Sequence, residues 1–259
     1  MANELLGVKS ITGNLWAFAA IKADDTVAVW GNSSYGADTA AANQLTNVQS
    51  ISGTTSAFAA LKTDGSVVTW GHVINGGNSS AVVSQLVSIQ SLSATYGAFA
   101  AIKSDGTVVT WGVADYGGNS GAVTDELTDV KSISATNYAF AAIKNDGSVV
   151  TWGHSEYGAN SSEVDEELTD IKSISATGSA FAAIKEDGSV VTWGNTSTSG
   201  SDSSTVADQL VDVESISASD SAFAAIKTDG SVVIWGSRSS GGFVQDTSGL
   251  VPGGIVTLK

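Results

Sequence analysis

Apolar and polar positions along this chain follow a pattern that recurs about every 41 residues. Each copy contains three short runs rich in Val, Ile, Phe, Thr and Trp, for example residues 130–136, 139–144 and 148–153. Runs of about six residues with this composition, bounded by Gly, Asn, Asp and Ser, are typical of β-strands. The pattern therefore predicts three strands in each copy.

A Trp-Gly pair ends the third run of every copy and sets the period. The six tryptophans are Trp30, Trp70, Trp111, Trp152, Trp193 and Trp235. Periods of 20 to 50 residues are typical of propellers and solenoids. We predict a single domain over residues 1–259, with repeats at about 5–44, 45–84, 85–126, 127–167, 168–209 and 210–249 and a closing strand at 250–259.

The second and third runs do not alternate between apolar and polar residues, which indicates strands whose sheet is covered on both faces. A three-stranded sheet gains such cover only between copies of itself. Small Ser and Ala dominate the first two runs and bulky Val and Trp the third, as the wedge-shaped blades of a propeller require. We predict an all-β, six-bladed β-propeller with its tryptophans between blades, closed into a ring by joining of the N- and C-terminal strands.

The second and third runs are separated by the motif x-D-G-[ST]. Its glycine can take a positive φ angle, which allows a tight turn and predicts a β-hairpin. The first copy instead has Asp24, Asp25 and Thr26 at this point. We expect Asp25 to occupy the left-handed conformation there, at a higher cost than glycine.

The repeated motif D-G-x-V-x-x-W-G resembles the repeats of the regulator of chromosome condensation superfamily, in the short bacterial form found in β-lactamase inhibitory protein II. The resemblance extends over nearly the whole chain and implies a β-propeller. It does not imply nucleotide exchange or chromatin binding. The family's common G-x-x-H-x-x-A-L is represented here by residues 136–143, which lack its glycine and its histidine.

Charge and composition narrow the classes of partner. The chain has 11 basic and 26 acidic residues, a net charge of −15, and six of its lysines recur at one position of the repeat. Nucleic acids and anionic membranes need clustered cations, so neither is an expected partner. There is no cysteine, and residues 1–10 lack the features of a signal peptide. No segment has the roughly 20 apolar residues of a membrane span, and both a cytoplasmic and an extracellular location fit the sequence.

Comparison of the six copies separates a constant scaffold from two variable stretches, namely the turn between the first and second runs and the segment after each Trp-Gly pair. Both stretches are predicted at the same end of each blade, and variable loops on a rigid scaffold commonly bind partners. The candidate binding residues are Trp16, Tyr96 and Tyr138 from the turns and Tyr35, Tyr116, Tyr157, His72 and His154 from the segments. The alternative for Tyr35, Tyr116 and Tyr157, each followed by glycine, is packing at the blade corner.

These residues favour a non-catalytic scaffold that recognises another protein. Catalysis has little support, because the two histidines are predicted about two blades apart and the turn aspartates are explained by turn chemistry. We predict neither a cofactor nor a metal. A carbohydrate-binding propeller is one alternative, although a six-fold sugar site would require binding residues in all six copies. A structural component of a larger assembly is the other.

Overall fold

The computed structural model describes residues 5–42, 45–196 and 200–242, together with the backbone of residues 256–257. The chain forms two compact units, Met1–Val130 and Lys131–Lys259. Six antiparallel sheets, each with at least three strands, correspond one to one with the six sequence repeats. We call each sheet a blade and number the blades in chain order. None of the helices in the described ranges has the length and apolar character of a membrane span.

The first and second runs of each repeat form strands of six residues, as predicted. The first strands are β1 Val8–Gly13, β4 Val48–Gly53, β7 Ile89–Ala94, β10 Val130–Ala135, β13 Ile171–Ala176 and β16 Val213–Ala218. The second strands, central in every blade, are β2 Ala17–Lys22, β5 Ala57–Lys62, β8 Ala98–Lys103, β11 Ala139–Lys144, β14 Ala180–Lys185 and β17 Ala222–Lys227.

The third strands end at the Trp-Gly pairs, and short helical turns follow several of them. The strands are β3 Val27–Gly31, β6 Val67–Gly71, β9 Val108–Gly112, β12 Val149–Gly153, β15 Val190–Gly194 and β18 Ser231–Gly236. The helical turns after the strands are Ser33–Tyr35, Val73–Gly77, Ala114–Tyr116, Ser155–Tyr157 and Arg238–Ser240, and those between blades are Thr39–Ala42, Val83–Gln85 and Ala207–Gln209.

The central strand of each blade has two apolar faces. In the second blade, Ala57, Ala59 and Leu61 pack with the third blade, whereas Phe58 and Ala60 pack with the first. The fourth, fifth and sixth blades share their central strands in the same way. We call the face with the phenylalanine the leading face and the opposite one the trailing face. The uninterrupted apolar runs in the sequence are explained by this two-sided burial.

Neighbouring blades within a unit are joined by an indole hydrogen bond. The tryptophan of one blade donates from Nε1 to the carbonyl oxygen of a glycine in the loop that follows the preceding blade. We call this residue the corner glycine, and its φ of +83° to +117° lies in the left-handed region. The bonds are Trp70 to Gly36 at 2.9 Å, Trp111 to Gly76 at 3.0 Å, Trp193 to Gly158 at 3.0 Å and Trp235 to Gly200 at 2.7 Å.

A phenylalanine ring occupies the space in which a corner side chain would lie. A Cβ atom built on Gly158 would be 2.6 Å from Cδ2 of Phe181, and one on Gly36 would be 2.5 Å from Cδ2 of Phe58. Each of these phenylalanines stacks on the tryptophan of its own blade, with ring centroids 5.1 to 5.3 Å apart. The corner therefore requires glycine for two reasons. Its φ angle is positive, and the phenylalanine ring leaves no space for a Cβ atom.

The Asp-Gly turns join the blades at their other end. The turn glycines have φ between +78° and +81°, and Asp25 takes this conformation in the first blade at +60°, which confirms both turn predictions. The carbonyl of the turn residue accepts the first amide of the next blade, as from Val48 to Asp25 at 3.0 Å and from Ile89 to Gly65 at 2.9 Å. The turns therefore contribute to the blade junctions as well as to the hairpins.

Hydrogen bonds lower the pKa of the turn aspartates. The largest cause is the hydroxyl of the Ser or Thr two residues later, and the backbone amide of that residue is the next. Thr107 and Lys103 together lower the pKa of Asp105 from 3.8 to about 2. A carboxyl group whose pKa is lower in the folded chain stabilises the fold above its unfolded pKa, and this contribution is lost as the pH falls through the folded value.

The described part of segment 250–259, β19 Val256–Thr257, pairs with β18 at the edge of the sixth blade, where the edge of β18 supplies unpaired backbone groups close by in sequence. The rest of the predicted closing strand lies outside the described residues. Joining of the N- and C-terminal strands and ring closure stay predictions. The repeat tryptophans are 2 to 5% exposed in five blades, as predicted for inter-blade packing, whereas Trp30 is partly exposed.

The corner glycines predict a large and specific stability effect. Gly158→Ala should destabilise the protein by about 3 kcal/mol or more, because it combines left-handed strain with a clash against Phe181. Gly241→Ala is the matched control, since Gly241 has φ +101° but no atom within 4 Å of the built Cβ. It should cost only the backbone term of about 1 to 2 kcal/mol. Urea unfolding of both variants measures the difference, and equal losses would contradict the packing role of the corner.

Acid titration tests the turn aspartates. The melting temperature of the wild type should fall as the pH is lowered from 3.8 to about 2, where Asp105 becomes protonated. Asp105→Asn should show a smaller drop over this range, because its amide still accepts from Thr107 but does not titrate. Asp125→Asn, which removes an exposed carboxylate outside the Asp-Gly turns, is the control for the loss of one negative charge. If the melting temperature of Asp105→Asn fell with pH as steeply as that of the wild type, the stabilising role of the ionised Asp105 would be contradicted.

Candidate functional site

Both variable stretches lie at the same end of each blade. The pairing of Ala139 with Gly153 places the start of the central strand beside the end of the third strand, and the other blades share this register. The turn before the central strand and the loop after Trp-Gly therefore lie next to each other. We call this the loop end of the blade.

In five blades, a polar side chain at the start of the turn donates a hydrogen bond to the backbone of the adjacent loop. The hydroxyl of Thr136 accepts the amide of Ala139 at 3.0 Å and donates to the carbonyl of Tyr157 at 2.9 Å. Equivalent bonds to the residue before the corner glycine come from Asn14, Thr54, Thr95 and Ser219. The loop end is therefore a set of fixed backbone segments rather than a set of independent loops.

Backbone hydrogen bonds also link the turns of successive blades. In the first unit, the amide of Leu15 donates to Thr55 at 3.2 Å, and the amide of Thr55 donates to Tyr96 at 3.0 Å. In the second unit, Asn137 donates to Gly178 and Gly178 to Asp220, at 2.9 and 2.8 Å. These bonds use the main chain alone, so the side chains in the turns are free to differ between copies.

Three of the predicted binding residues meet at the loop end of the first unit. The ring of Tyr35 lies between those of Trp16 and His72, with centroid distances of 5.5 and 5.7 Å. Trp16 is 55% exposed, and Tyr35 and His72 are half-buried. The ring of Tyr35 thus packs against the exposed indole of Trp16. Its backbone carbonyl oxygen accepts a hydrogen bond from Nδ2 of Asn14 at 2.8 Å.

Aliphatic side chains that the sequence analysis did not select extend this aromatic group. Leu15 precedes Trp16 in its turn and is 71% exposed, and Val73 and Ile74 follow His72 and are 64% and 66% exposed. We call the six residues Leu15, Trp16, Tyr35, His72, Val73 and Ile74 the loop patch. The sequence does distinguish these two positions, because two large aliphatic residues replace small or polar ones. The equivalent residues are Ser-Ser, Ala-Asp and Ser-Glu in the first, third and fourth copies.

The remaining candidates of the first unit lie in the third blade. Tyr96 is 41% exposed in the turn. Tyr116 is half-buried against the next residue of that turn, since a Cβ built on Gly97 would be 2.9 Å from its Cδ2 atom. Asp115, beside Tyr116, is exposed. Tyr116 therefore packs at its corner and presents only part of its ring to solvent.

The candidates of the second unit form a compact aromatic cluster. Tyr157 lies edge-on to both Tyr138 and His154, at centroid distances of 4.4 and 5.1 Å. All three side chains are half-buried, and the adjacent Glu156 is exposed. Among the described residues, Nδ1 of His154 is buried without a hydrogen-bond partner, as is Nδ1 of His72. This cluster is more enclosed than the loop patch and presents less apolar surface.

A polar cavity of about 390 Å³ lies between loops of the fourth and fifth blades, within the second unit. Glu163 and Asp202 supply carboxylates to its lining, and Asn160 and Thr196 supply further polar groups. Ser201 also lines it and is 7% exposed, and its Oγ has no hydrogen-bond partner among the described residues. A buried hydroxyl with no partner is costly and indicates a polar ligand or water.

Comparisons with known proteins agree with this fold. Residues 130–159 match the family model of the regulator of chromosome condensation (RCC1) repeat. The structure is similar to yeast RCC1 (Prp20), solved bound to Kap60, with 15% identity and a TM-score of 0.56 over 90% of this chain and 71% of that one. It is also similar to human WBSCR16, with 15% identity and a TM-score of 0.57 over 88% and 76% of the two chains.

A plant receptor has the same fold. The CRINKLY WD40 ectodomain of the Arabidopsis thaliana receptor kinase ACR4 is 17% identical, with a TM-score of 0.53 over 89% of this chain and 81% of that one. No curated protein sequence matches the chain significantly. The chain therefore has the fold of a six-bladed β-propeller, in which residues 130–159 match the RCC1 repeat model, and at these identities the comparisons bear on its fold alone.

Proposed function

We propose that this protein is a non-catalytic recognition module that binds a protein partner through the loop patch of its first unit. The observation that supports this most directly is the grouping of strongly exposed apolar side chains on a backbone fixed by hydrogen bonds. Leu15, Trp16, Val73 and Ile74 are each more than half exposed. Contiguous apolar surface of this kind on a folded protein marks an interaction site.

The chemistry of the patch suits a protein partner. Binding energy at protein interfaces is concentrated in a few large side chains, with Trp and Tyr prominent among them. Trp16 has a defined orientation before any partner arrives, because it rests on Tyr35 and its amide donates to the side chain of Asn14 at 2.8 Å. A side chain that is already ordered loses less entropy on binding.

Charge indicates the character of the partner surface. At a net charge of −15 the chain attracts basic proteins over distances of about one Debye length, which speeds association and makes it depend on salt. Two structures of the same fold concern protein binding: yeast RCC1 is bound to Kap60, and Prp20p has binding properties to Gsp1p and histones. We propose an apolar groove with a basic rim as the complement of the loop patch.

Paired substitutions test the role of the loop patch. Immobilised wild type, Trp16→Ala/Ile74→Ala and Val83→Ala/Val87→Ala should be compared for capture of proteins from the native source. Val83 and Val87 are 58% and 52% exposed but lie outside the patch. Their replacement is therefore a control for the removal of exposed apolar surface elsewhere. We expect a protein that the wild type and the control retain and the patch variant loses, with affinity for it reduced about 100-fold or more. Equal retention by all three would contradict the proposal.

The polar cavity supports a second candidate, recognition of a carbohydrate at a single site. Carboxylates, an amide and hydroxyls in one cavity match the hydrogen-bonding groups of a sugar. A glycan array should then show a ligand for the wild type that Glu163→Gln loses. Glu166→Gln, an exposed carboxylate in the same segment and outside the cavity lining, should retain it. Absence of any ligand, or the same ligand on both variants, would count against this candidate.

A further inference from the structure

The polar cavity between the fourth and fifth blades contains a hydroxyl that the fold does not need. The carbonyl of Ser201 accepts from the hydroxyl of Thr192 at 2.6 Å, and the same backbone bond occurs in the second, third and fourth blades. The side chain of Ser201 itself is 7% exposed and has no partner in the part of the chain that the structure describes. The residue after the corner glycine is small and apolar in the other five copies, namely Ala37, Gly77, Gly118, Ala159 and Gly242.

Two carboxylates at the cavity are also departures from the repeat. The position of Glu163 holds Ala41, Ala81, Ala122 and Thr205 in the first, second, third and fifth copies. The position of Asp202 holds Asp38, Asn78, Asn119 and Asn160 in the first four copies. Asp202 accepts the amide of Ser204 at 3.0 Å, and the three asparagines accept the equivalent amides at 2.9 to 3.2 Å. The turn therefore needs the oxygen at this position but not the negative charge.

These departures make the cavity negative. None of the described residues that line it is basic. The hydroxyl and then the backbone amide of Ser204 lower the pKa of Asp202, so this carboxylate stays ionised. Glu163 faces the same cavity from the loop that follows the fourth blade. Two carboxylates without a cation in the lining favour a positively charged ligand over a neutral or an acidic one.

We propose that this cavity binds the protonated amino group of an amino sugar. The inference rests on the carbohydrate candidate described above and specifies the class of sugar. The ammonium group has three donors, which the carboxylates of Glu163 and Asp202 accept, and the hydroxyl of Ser201 bonds to a hydroxyl of the sugar ring. Ser201, Asp202 and Glu163 thereby gain a common role that the scaffold does not give them.

The size of the cavity selects an organic cation over a metal ion. Its volume of about 390 Å³ lies within the range of roughly 300 to 1,000 Å³ that is usual for small-molecule sites. A calcium ion instead needs about six to eight oxygens within about 2.6 Å. The described ranges contain no group of three acidic or histidine residues that could hold a metal ion.

The lining also selects a sugar over the side chain of a lysine. A lysine would place its aliphatic stem in the cavity along with its ammonium group. Val164 and Trp193 are the only large apolar residues in the described lining, and the indole of Trp193 already donates to Gly158 at the blade junction. The remaining lining is rich in hydroxyl and amide groups, which match the hydroxyls of a sugar ring.

Substitutions that restore the residues of the other copies test the site. Glu163→Ala/Asp202→Asn removes both charges and keeps an acceptor oxygen for the amide of Ser204. Ser201→Ala removes the buried hydroxyl. We expect both variants to melt at or above the temperature of the wild type, because the other blades form without these groups and an unpartnered buried hydroxyl is destabilising. A purely structural role for these side chains predicts lower melting temperatures.

Isothermal titration calorimetry at low salt measures the ligand preference. The probes are the disaccharide of glucosamine, its N-acetylated form and cellobiose, the corresponding disaccharide of glucose. The wild type should bind the glucosamine disaccharide about tenfold or more tightly than the other two, because it alone carries positive charge. Salt should weaken this binding by screening. A chelator should leave it unchanged.

The variants then link the preference to the cavity. Glu163→Ala/Asp202→Asn should lose about tenfold or more of the affinity for the glucosamine disaccharide, and Ser201→Ala should lose it several-fold. Glu166→Gln/Asp208→Asn is the matched control, since it removes two exposed carboxylates from the same segments outside the cavity lining. It should bind like the wild type.

The outcomes separate the amino-sugar inference from the carbohydrate candidate. Equal or tighter binding of cellobiose or the N-acetylated disaccharide would overturn the amino-sugar inference and leave the carbohydrate candidate standing. Absence of binding for all three probes would also overturn the inference, and the glycan array then tests the carbohydrate candidate independently. Binding that a chelator abolishes, or that the cavity variants retain in full, would overturn the inference as well.

Discussion

The bond from a tryptophan Nε1 to the carbonyl of a corner glycine organises this protein. The corner can present that carbonyl only in a left-handed conformation, and the phenylalanine beneath it leaves no room for a Cβ atom. Because the same phenylalanine stacks on the donating tryptophan, the two rings and the glycine form one contact rather than three. The most constant residues of the repeat are those that this contact needs.

The constraint at the corner also determines where the chain can vary. The carbonyl of the residue before the corner glycine accepts a hydrogen bond from a Thr, Ser or Asn side chain in the turn of the same blade, and successive turns are linked through their backbones. The side chains at the remaining turn positions and after each Trp-Gly pair differ between the copies. Substitution at these positions changes the surface without loosening the scaffold, which explains how a patch such as Leu15, Trp16, Val73 and Ile74 is supported on ordered backbone.

Local features were predictable from the sequence, and features that depend on a distant neighbour were not. The strands, the turn glycines and the left-handed Asp25 follow from patterns within a few residues. The exposure of Trp30 does not, because the same motif is buried in the other five blades and its exposure depends on packing that the local sequence does not encode. For the site, the approach of Trp16 to Tyr35 and His72 was not predictable, since His72 comes from the second blade. Val73 and Ile74 are not among the predicted binding residues, which are all aromatic, although the copies differ in sequence at these two positions.

The two ends of the blades differ in what they can recognise. At the Asp-Gly end, each aspartate is engaged by the Ser or Thr that follows it, and a lysine of the same repeat lies near it in the second and third blades. These polar groups are largely satisfied within their own turn and recur in nearly every copy, so they offer a partner little that distinguishes one blade from another. At the loop end, backbone bonds satisfy the main chain and leave dissimilar side chains exposed. Specific recognition needs differences between blades, and the structure concentrates them at the loop end.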